Sequence, residues 1–175
     1  GYWFSQDMDA WVPDQALLDY LAAGPKPLVV AFGSTNSRRL GRIGAQVLKA
    51  LALTGGRGIL VGSGFERENL PPEVYAIADV PYAGLFPHAA AILHHGGAGT
   101  TGKGLRAGVP NVVIPFTSDQ PFWGNRVHAL GAGPRPLAPG SITVKKLAEA
   151  IDTAIYDTNM RERAKIIGGA LRRER

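Results

Sequence analysis

Short apolar runs recur along the chain, each ending in a glycine-rich turn and each followed by a stretch of helical character. Leu28-Val29-Val30-Ala31-Phe32 is continuous and apolar, the pattern of a strand covered on both faces. It stops at Gly33-Ser34-Thr35-Asn36, and helical periodicity then runs to about Leu53. Gly58–Val61 repeats the strand signal and ends at Gly62-Ser63-Gly64. Val74–Ala78 predicts a weaker third strand, Ala89–His94 a fourth and Asn111–Pro115 a fifth. Helices fit Gly99–Ala107, Gln120–Leu130, Val144–Tyr156 and a last segment from about Met160. Residues 1–27 predict a linker, with Tyr2, Trp3, Phe4 and Trp11 ahead of a short helix from about Pro13 to Ala22. The breaker cluster Gly24-Pro25-Lys26-Pro27 ends that helix.

Apolar strands alternating with helices imply an α/β fold: a Rossmann-like, doubly wound parallel sheet of about six strands with helices on both faces. It occupies residues 28–175. Ligands of such sheets sit beyond the carboxyl ends of the strands. Four segments therefore hold the candidate chemistry: 33–36, 62–65, 79–86 and 94–101. No internal repeat or low-complexity segment changes this picture.

Composition narrows the function classes. The chain has 175 residues, enough to bury one proper core, and 45% of them are hydrophobic, which excludes a disordered chain. It has no cysteine, so disulfides, thiolate catalysis and cysteine-ligated zinc are excluded. The missing cysteines and the lack of a signal-peptide pattern at the N-terminus point to the cytoplasm. No apolar run approaches the ~20 residues of a membrane span, so membrane contact is expected to be peripheral at most. The net charge of +5 suggests nucleic acid, but most of it lies in the last helix. There Arg161, Arg163, Lys165, Arg172, Arg173 and Arg175 outnumber Glu162 and Glu174, without the interleaved aromatics of single-strand binding. No nucleic-acid partner is expected.

The strongest motif is His94-His95-Gly96-Gly97-Ala98-Gly99-Thr100-Thr101. A buried strand ends in two histidines, turns through glycines and starts a helix. Glycines let the backbone come close to a bulky anion. The helix start offers unpaired N–H groups and the positive end of its dipole. Threonine hydroxyl and imidazole N–H groups add donors for phosphate oxygens. Dinucleotide sites also use a glycine-rich turn. Their G-x-G-x-x-G fingerprint belongs at the first strand, however, and this chain has Gly33-Ser34-Thr35-Asn36 there. A nicotinamide site fits poorly, and an anion site at a helix start fits well.

Residues 94–101, with Gly104-Leu105-Arg106-Ala107-Gly108-Val109-Pro110 and the run Pro115-Phe116-Thr117-Ser118-Asp119-Gln120-Pro121-Phe122-Trp123-Gly124-Asn125-Arg126-Val127, closely resemble the C-terminal domain of GT-B fold glycosyltransferases. The likeness is greatest to sterol glucosyltransferases and related bacterial UDP-glycosyltransferases. It continues through Gly1-Tyr2-Trp3-Phe4, Ala31-Phe32-Gly33-Ser34, Asp79-Val80-Pro81 and Leu85-Phe86-Pro87, and so covers nearly the whole chain.

The resemblance implies a role for each matched residue. His95 hydrogen-bonds the donor diphosphate, and Gly97, Ala98, Gly99 and Thr100 offer backbone and hydroxyl donors to it. Gly33 and Ser34 face the same phosphates across the cleft. Val80 meets the nucleobase through its backbone, and Tyr82 is the one candidate for stacking, or else a packing aromatic. Asp119 and Gln120 bind the sugar hydroxyls. The implied reaction moves a hexose, glucose from UDP-glucose, to a hydroxyl of a lipophilic acceptor such as a sterol or natural-product aglycone, inverting the anomeric carbon. No cofactor or metal is expected. Asp7-Met8-Asp9 spells a D-x-D pattern, but it lies in the linker, far from any strand end.

The chain departs from the family in places. Asp79 stands where plant relatives carry a base-stacking tryptophan, and Gly84 where sterol-type relatives often carry one. Uridine or thymidine diphosphate is thus left open, and Trp123 either lines the cleft or belongs to the core. The family keeps its acceptor pocket and catalytic base in an N-terminal domain. No catalytic residue is therefore expected in this chain, which should bind donor without transferring sugar alone. Rival readings are a stand-alone nucleotide-diphosphate-binding module, a nucleotide-sugar epimerase, and a basic nucleic-acid-binding domain.

Overall fold

The computed structural model describes residues 11–33, 37–62 and 70–174. Five short strands form one parallel sheet: β1 (Leu28–Ala31), β2 (Gly58–Val61), β3 (Val74–Ile77), β4 (Ala91–His94) and β5 (Asn111–Val113). Their order is β3-β2-β1-β4-β5, every neighbouring pair is parallel, and Ala31 stands in register with His94. Helices α1 (Gln15–Ala22), α2 (Ser37–Thr54), α3 (Tyr82–Leu85), α4 (Ala98–Ala107), α5 (Gln120–Ala129), α6 (Val144–Tyr156) and α7 (Thr158–Arg173) surround it.

The period of two along each strand divides the core. Leu28, Val30, Phe32, Leu60 and Leu93 point to the face covered by α2 and α6, where Ile43, Val47, Leu147 and Ile151 meet them. Val29, Ala31, Ile59, Val61 and Ile92 point the other way, onto Leu17 of α1 and Leu85 and Phe86 of α3 and its following turn. Both faces are buried, which is why these strands read as unbroken apolar runs. A third cluster of Leu105, Val127, Ala132 and Ala164 joins α4, α5 and α7.

The doubly wound parallel fold matches the expectation, but the described residues contain five strands rather than about six. Residues 132–137 run where a sixth would lie. Asn111 donates its N–H to Ala132 O and Leu137 donates its N–H to Val113 O, both at 2.9 Å. Pro134 and Pro136 have no N–H to continue the ladder, so the segment follows the edge without becoming a strand. The four-residue α3 was also not anticipated; it is too short for periodicity to register.

Some of the basic side chains of the C-terminal helix bond to neighbouring elements. Arg163 donates to Leu130 O at 3.0 Å, Arg172 donates to Arg106 O, and Lys165 pairs with Glu162 at 2.6 Å. Arg163 and Arg172 thus help attach α7 to the ends of α5 and α4. No described helix is long and apolar enough to cross a membrane.

Candidate functional site

Strand order reverses between β1 and β4, so a crevice opens beyond their carboxyl ends. Gly33 leaves β1 there and His95 leaves β4 beside it. A Cβ on Gly33 would sit 3.7 Å from His95 Cε1. Two segments about sixty residues apart thus lie side by side at the ends of adjacent strands. Ser34, Asp7, Asp9 and the Tyr2-Trp3-Phe4 segment lie outside the described residues.

The two histidines have different jobs. His94 is fully buried. Its Nε2 lies 2.8 Å from Asn111 Oδ1, and its Nδ1 accepts the Gly96 N–H at 3.0 Å. Asn111 in turn donates through Nδ2 to Val109 O at 2.8 Å. With Nδ1 accepting, Nε2 must carry the proton and donate to Asn111. Burial pushes the His94 pKa down to about 3, opposed by the Asn111 hydrogen bond and aided by neighbouring His95. His94 therefore stays neutral and shapes the turn.

His95 stands edge-on to His94, with ring planes at 87°. It is half-buried, and its Nδ1 is buried without a hydrogen-bond partner among the described residues. Burial lowers its pKa, and the Asp119 carboxylate acts in the opposite direction. A buried ring nitrogen left unsatisfied costs about 1–3 kcal/mol, a cost removed when a ligand atom pairs with it.

Beyond His95 the chain turns into α4. Gly96 takes φ +88°, and a Cβ on it would lie 2.7 Å from Val113 Cγ1 and 2.9 Å from the Gln120 carbonyl oxygen. Only glycine fits both the conformation and the space. The same contact brings Gln120, at the start of α5, against the turn. Gly97 is the N-cap of α4, extended at φ −62° and ψ 141°, with no capping side chain and no acidic residue in the first turn. The first bond into the helix is from Thr101 N–H to Gly97 O at 2.9 Å. The N–H groups of Ala98, Gly99 and Thr100 precede it and face outward with the positive dipole end. Thr101, by contrast, is fully buried, and its Oγ1 has no partner among the described residues.

Asp119 and Gln120 follow a strained bend in which Ser118 holds φ 55°. Gln120 Oε1 accepts the N–H groups of Phe116 at 2.8 Å and Thr117 at 3.1 Å. Its carbonyl end therefore builds the loop, and its amide nitrogen is the end left for a ligand. Exposed Asp119 Oδ2 accepts the Trp123 indole N–H at 2.7 Å. This bond was not foreseen; the signal for it was an acidic helix cap with tryptophan four residues on.

Val80 and Tyr82 follow the exit of β3. Val80 is buried, and no hydrogen bond among the described residues engages its backbone. Tyr82 stacks on Phe86 with centroids 5.0 Å apart, and the Lys103 ammonium lies 5.9 Å from its ring centre. Burial raises its hydroxyl pKa, while the Gly33 backbone, close enough to hydrogen-bond, opposes this. The ring is thus largely occupied with packing, at the edge of the same crevice. A separate hollow of about 440 Å³ lies between α2 and the loop after β5, lined by Arg42, Ile43, Gln46, Phe116 and Ile142. None of the crevice residues lines it. Among the described residues no group of three or more His, Cys, Asp or Glu side chains could hold a metal.

The chain is similar in sequence and fold to known proteins. Residues 58–170 match the model of the erythromycin biosynthesis protein CIII-like, C-terminal domain. A sterol 3-beta-glucosyltransferase of Arabidopsis thaliana is 36% identical over 99% of this chain and 28% of its own length. The O-mycaminosyltylonolide 6-deoxyallosyltransferase of Streptomyces fradiae is 36% identical over 100% of this chain and 41% of its own. The glycosyltransferase SnogD from Streptomyces nogalater superposes with a TM-score of 0.74 at 29% identity, covering 94% of this chain and 43% of that one. The chain spans less than half the length of these relatives.

Proposed function

The chain belongs to the erythromycin biosynthesis protein CIII-like C-terminal domain family of GT-B glycosyltransferases, and from that premise we propose that it is the donor-binding half of an inverting sugar transferase. Its ligand on this reading is a nucleoside diphosphate hexose, UDP-glucose being the first candidate because sterol 3-beta-glucosyltransferases are among its relatives. The observation that carries the reading is the buried nitrogen of His95, without a partner among the described residues, beside the uncapped start of α4, where strand order reverses.

Each group then has a task. The N–H groups of Ala98, Gly99 and Thr100, with the Thr100 hydroxyl, His95 and the Gly97 backbone, bind the diphosphate. Gly33 closes in from β1, and Ser34 follows it in sequence. The Val80 backbone receives the nucleobase, with Tyr82 forming the wall beside it. Asp119 accepts from a sugar hydroxyl, and the Gln120 amide donates to one.

In transfer, an acceptor hydroxyl attacks the anomeric carbon as the bond to the diphosphate oxygen breaks. The transition state resembles an oxocarbenium ion, and negative charge grows on the leaving phosphate. Helix N–H groups and the neutral His95 N–H, already in place, stabilise that charge more than they stabilise the ground state. With this potential supplied by the fold, the reading needs no metal. The base that activates the acceptor hydroxyl, and the pocket for a lipophilic acceptor, belong on this reading to a second domain, so this chain alone binds donor but does not transfer sugar.

Calorimetric titration with UDP, UDP-glucose and TDP-glucose tests this, on the native chain and on His95→Ala. Binding that His95→Ala weakens is the expected result. No binding of any of the three at millimolar concentration, or equal binding by the variant, would remove the donor-site reading. Sugar transfer to a sterol by the purified chain would overturn the division of labour.

A further inference from the structure

Asp119 occupies the N-cap of α5, the position where aspartate ordinarily turns its carboxylate onto the helix's own N–H groups. Here it makes no such bond and its backbone is helical, φ −81° and ψ −5°. One reason is local. Gln120 is the first helical residue, so Pro121 takes the second position and removes an N–H that a cap would use. The carboxylate instead reaches forward one turn, and its Oδ2 accepts the Trp123 indole N–H at 2.7 Å. The indole is half-buried and braced edge-on by Phe122, with ring centres 5.1 Å apart at 80°. The bond leaves Asp119 itself exposed, with Oδ1 available, and close enough for its charge to act on His95 across the crevice.

We propose that Trp123 is a positioning residue for the sugar subsite: its indole N–H holds the Asp119 carboxylate in one rotamer, so that Oδ1 alone accepts from a sugar hydroxyl. Gln120 is oriented in a parallel way, with Oε1 spent on Phe116 and Thr117. The pair thus presents one acceptor and one amide donor group side by side. That arrangement reads two neighbouring hydroxyls, one donating and one accepting. The inference rests on the donor-site reading above and adds to it a residue that never touches the sugar.

The test compares UDP with UDP-glucose by calorimetry, on the native chain, Trp123→Phe, Asp119→Ala and the double variant. A misplaced acceptor should cost about five- to tenfold in UDP-glucose affinity, the scale of one hydrogen bond. Trp123→Phe is expected to show that loss while UDP affinity changes by less than about twofold. In the Asp119→Ala background the second substitution should change nothing, because its partner is gone. Should phenylalanine fail to support folding, benzothienylalanine at position 123 keeps the bicyclic shape without the N–H. Equal losses for UDP and UDP-glucose would mark a general packing defect and overturn the proposal. So would a Trp123→Phe effect as large without Asp119 as with it, or no Trp123→Phe effect where Asp119→Ala has one. If Asp119→Ala leaves UDP-glucose as tightly bound relative to UDP as before, the sugar-subsite reading itself is wrong, and this inference falls with it.

Discussion

His94 and Asn111 are joined by a 2.8 Å hydrogen bond entirely away from solvent, and through it the end of β4 is tied to the start of β5. The next residue, His95, has a buried ring nitrogen with no hydrogen-bond partner among the described residues. Adjacent imidazoles are thus divided between holding the turn and facing the crevice, and their substitution should separate stability from binding.

His95→Ala should weaken UDP or UDP-glucose binding by the ~1.5–3 kcal/mol of a hydrogen bond to a charged group, while stability falls by less than about 1 kcal/mol. His94→Ala should do the reverse. It leaves the Gly96 N–H and Asn111 Oδ1 buried without their present partner, at a cost of about 2–4 kcal/mol in unfolding free energy. Denaturant unfolding beside calorimetry reads both. A His94→Ala variant as stable as the native chain would sink the assignment.

Stability should fall on mild acidification. In the fold His94 takes up a proton only near pH 3, whereas its ordinary pKa is 6.5. Between those values the unfolded chain binds the proton and the native chain does not, so acid favours unfolding. The His94 contribution is complete above pH 6.5 and declines below it, by up to about 1.4 kcal/mol per pH unit. Urea unfolding at pH 7, 5.5 and 4.5 should show a shallower decline for His94→Gln than for the native chain. Identical slopes would contradict it.

Gln120 can be divided by chemistry. Gln120→Glu keeps oxygens for the Phe116 and Thr117 N–H groups but loses the amide donors and adds negative charge. It should hold stability within about 1 kcal/mol while losing at least tenfold in UDP-glucose affinity. Gln120→Ala should cost about 1–3 kcal/mol of stability as well, because two loop N–H groups lose their acceptor. Thermal melts with titration distinguish the two.

The glycine turn offers a steric control. An added Cβ at Gly97 would lie 2.5 Å from His95 Nε2, the end of a side chain that can turn away. Gly97→Ala should therefore fold and bind UDP about tenfold more weakly. Gly96→Ala meets a main-chain oxygen at an unfavourable φ and should lose about 2 kcal/mol of stability or more. Equal effects at both positions, by unfolding and calorimetry, would argue against the geometry of this turn.

The local record in the chain was enough for most of the elements. Runs such as Leu28–Phe32 and Ala91–His94 are apolar because both sheet faces are covered, and that burial leaves its mark residue by residue. Glycines followed by threonines after β4 likewise announce an uncapped helix start. Hydrogen-bond partners are chosen differently, by whatever polar atom the packed fold brings near. Nothing near His94 in sequence says that Asn111, seventeen residues on, takes its Nε2 and leaves His95 to the crevice. Nor does composition say that Tyr82 stacks on Phe86, that Gln120 spends its oxygen on its own loop, or that two prolines stop a sixth strand from forming. Periodicity is written locally, so most elements and the glycine-rich turn into α4 were legible. Which polar atoms face the crevice depends on contacts between distant segments, and only the tertiary structure decided that.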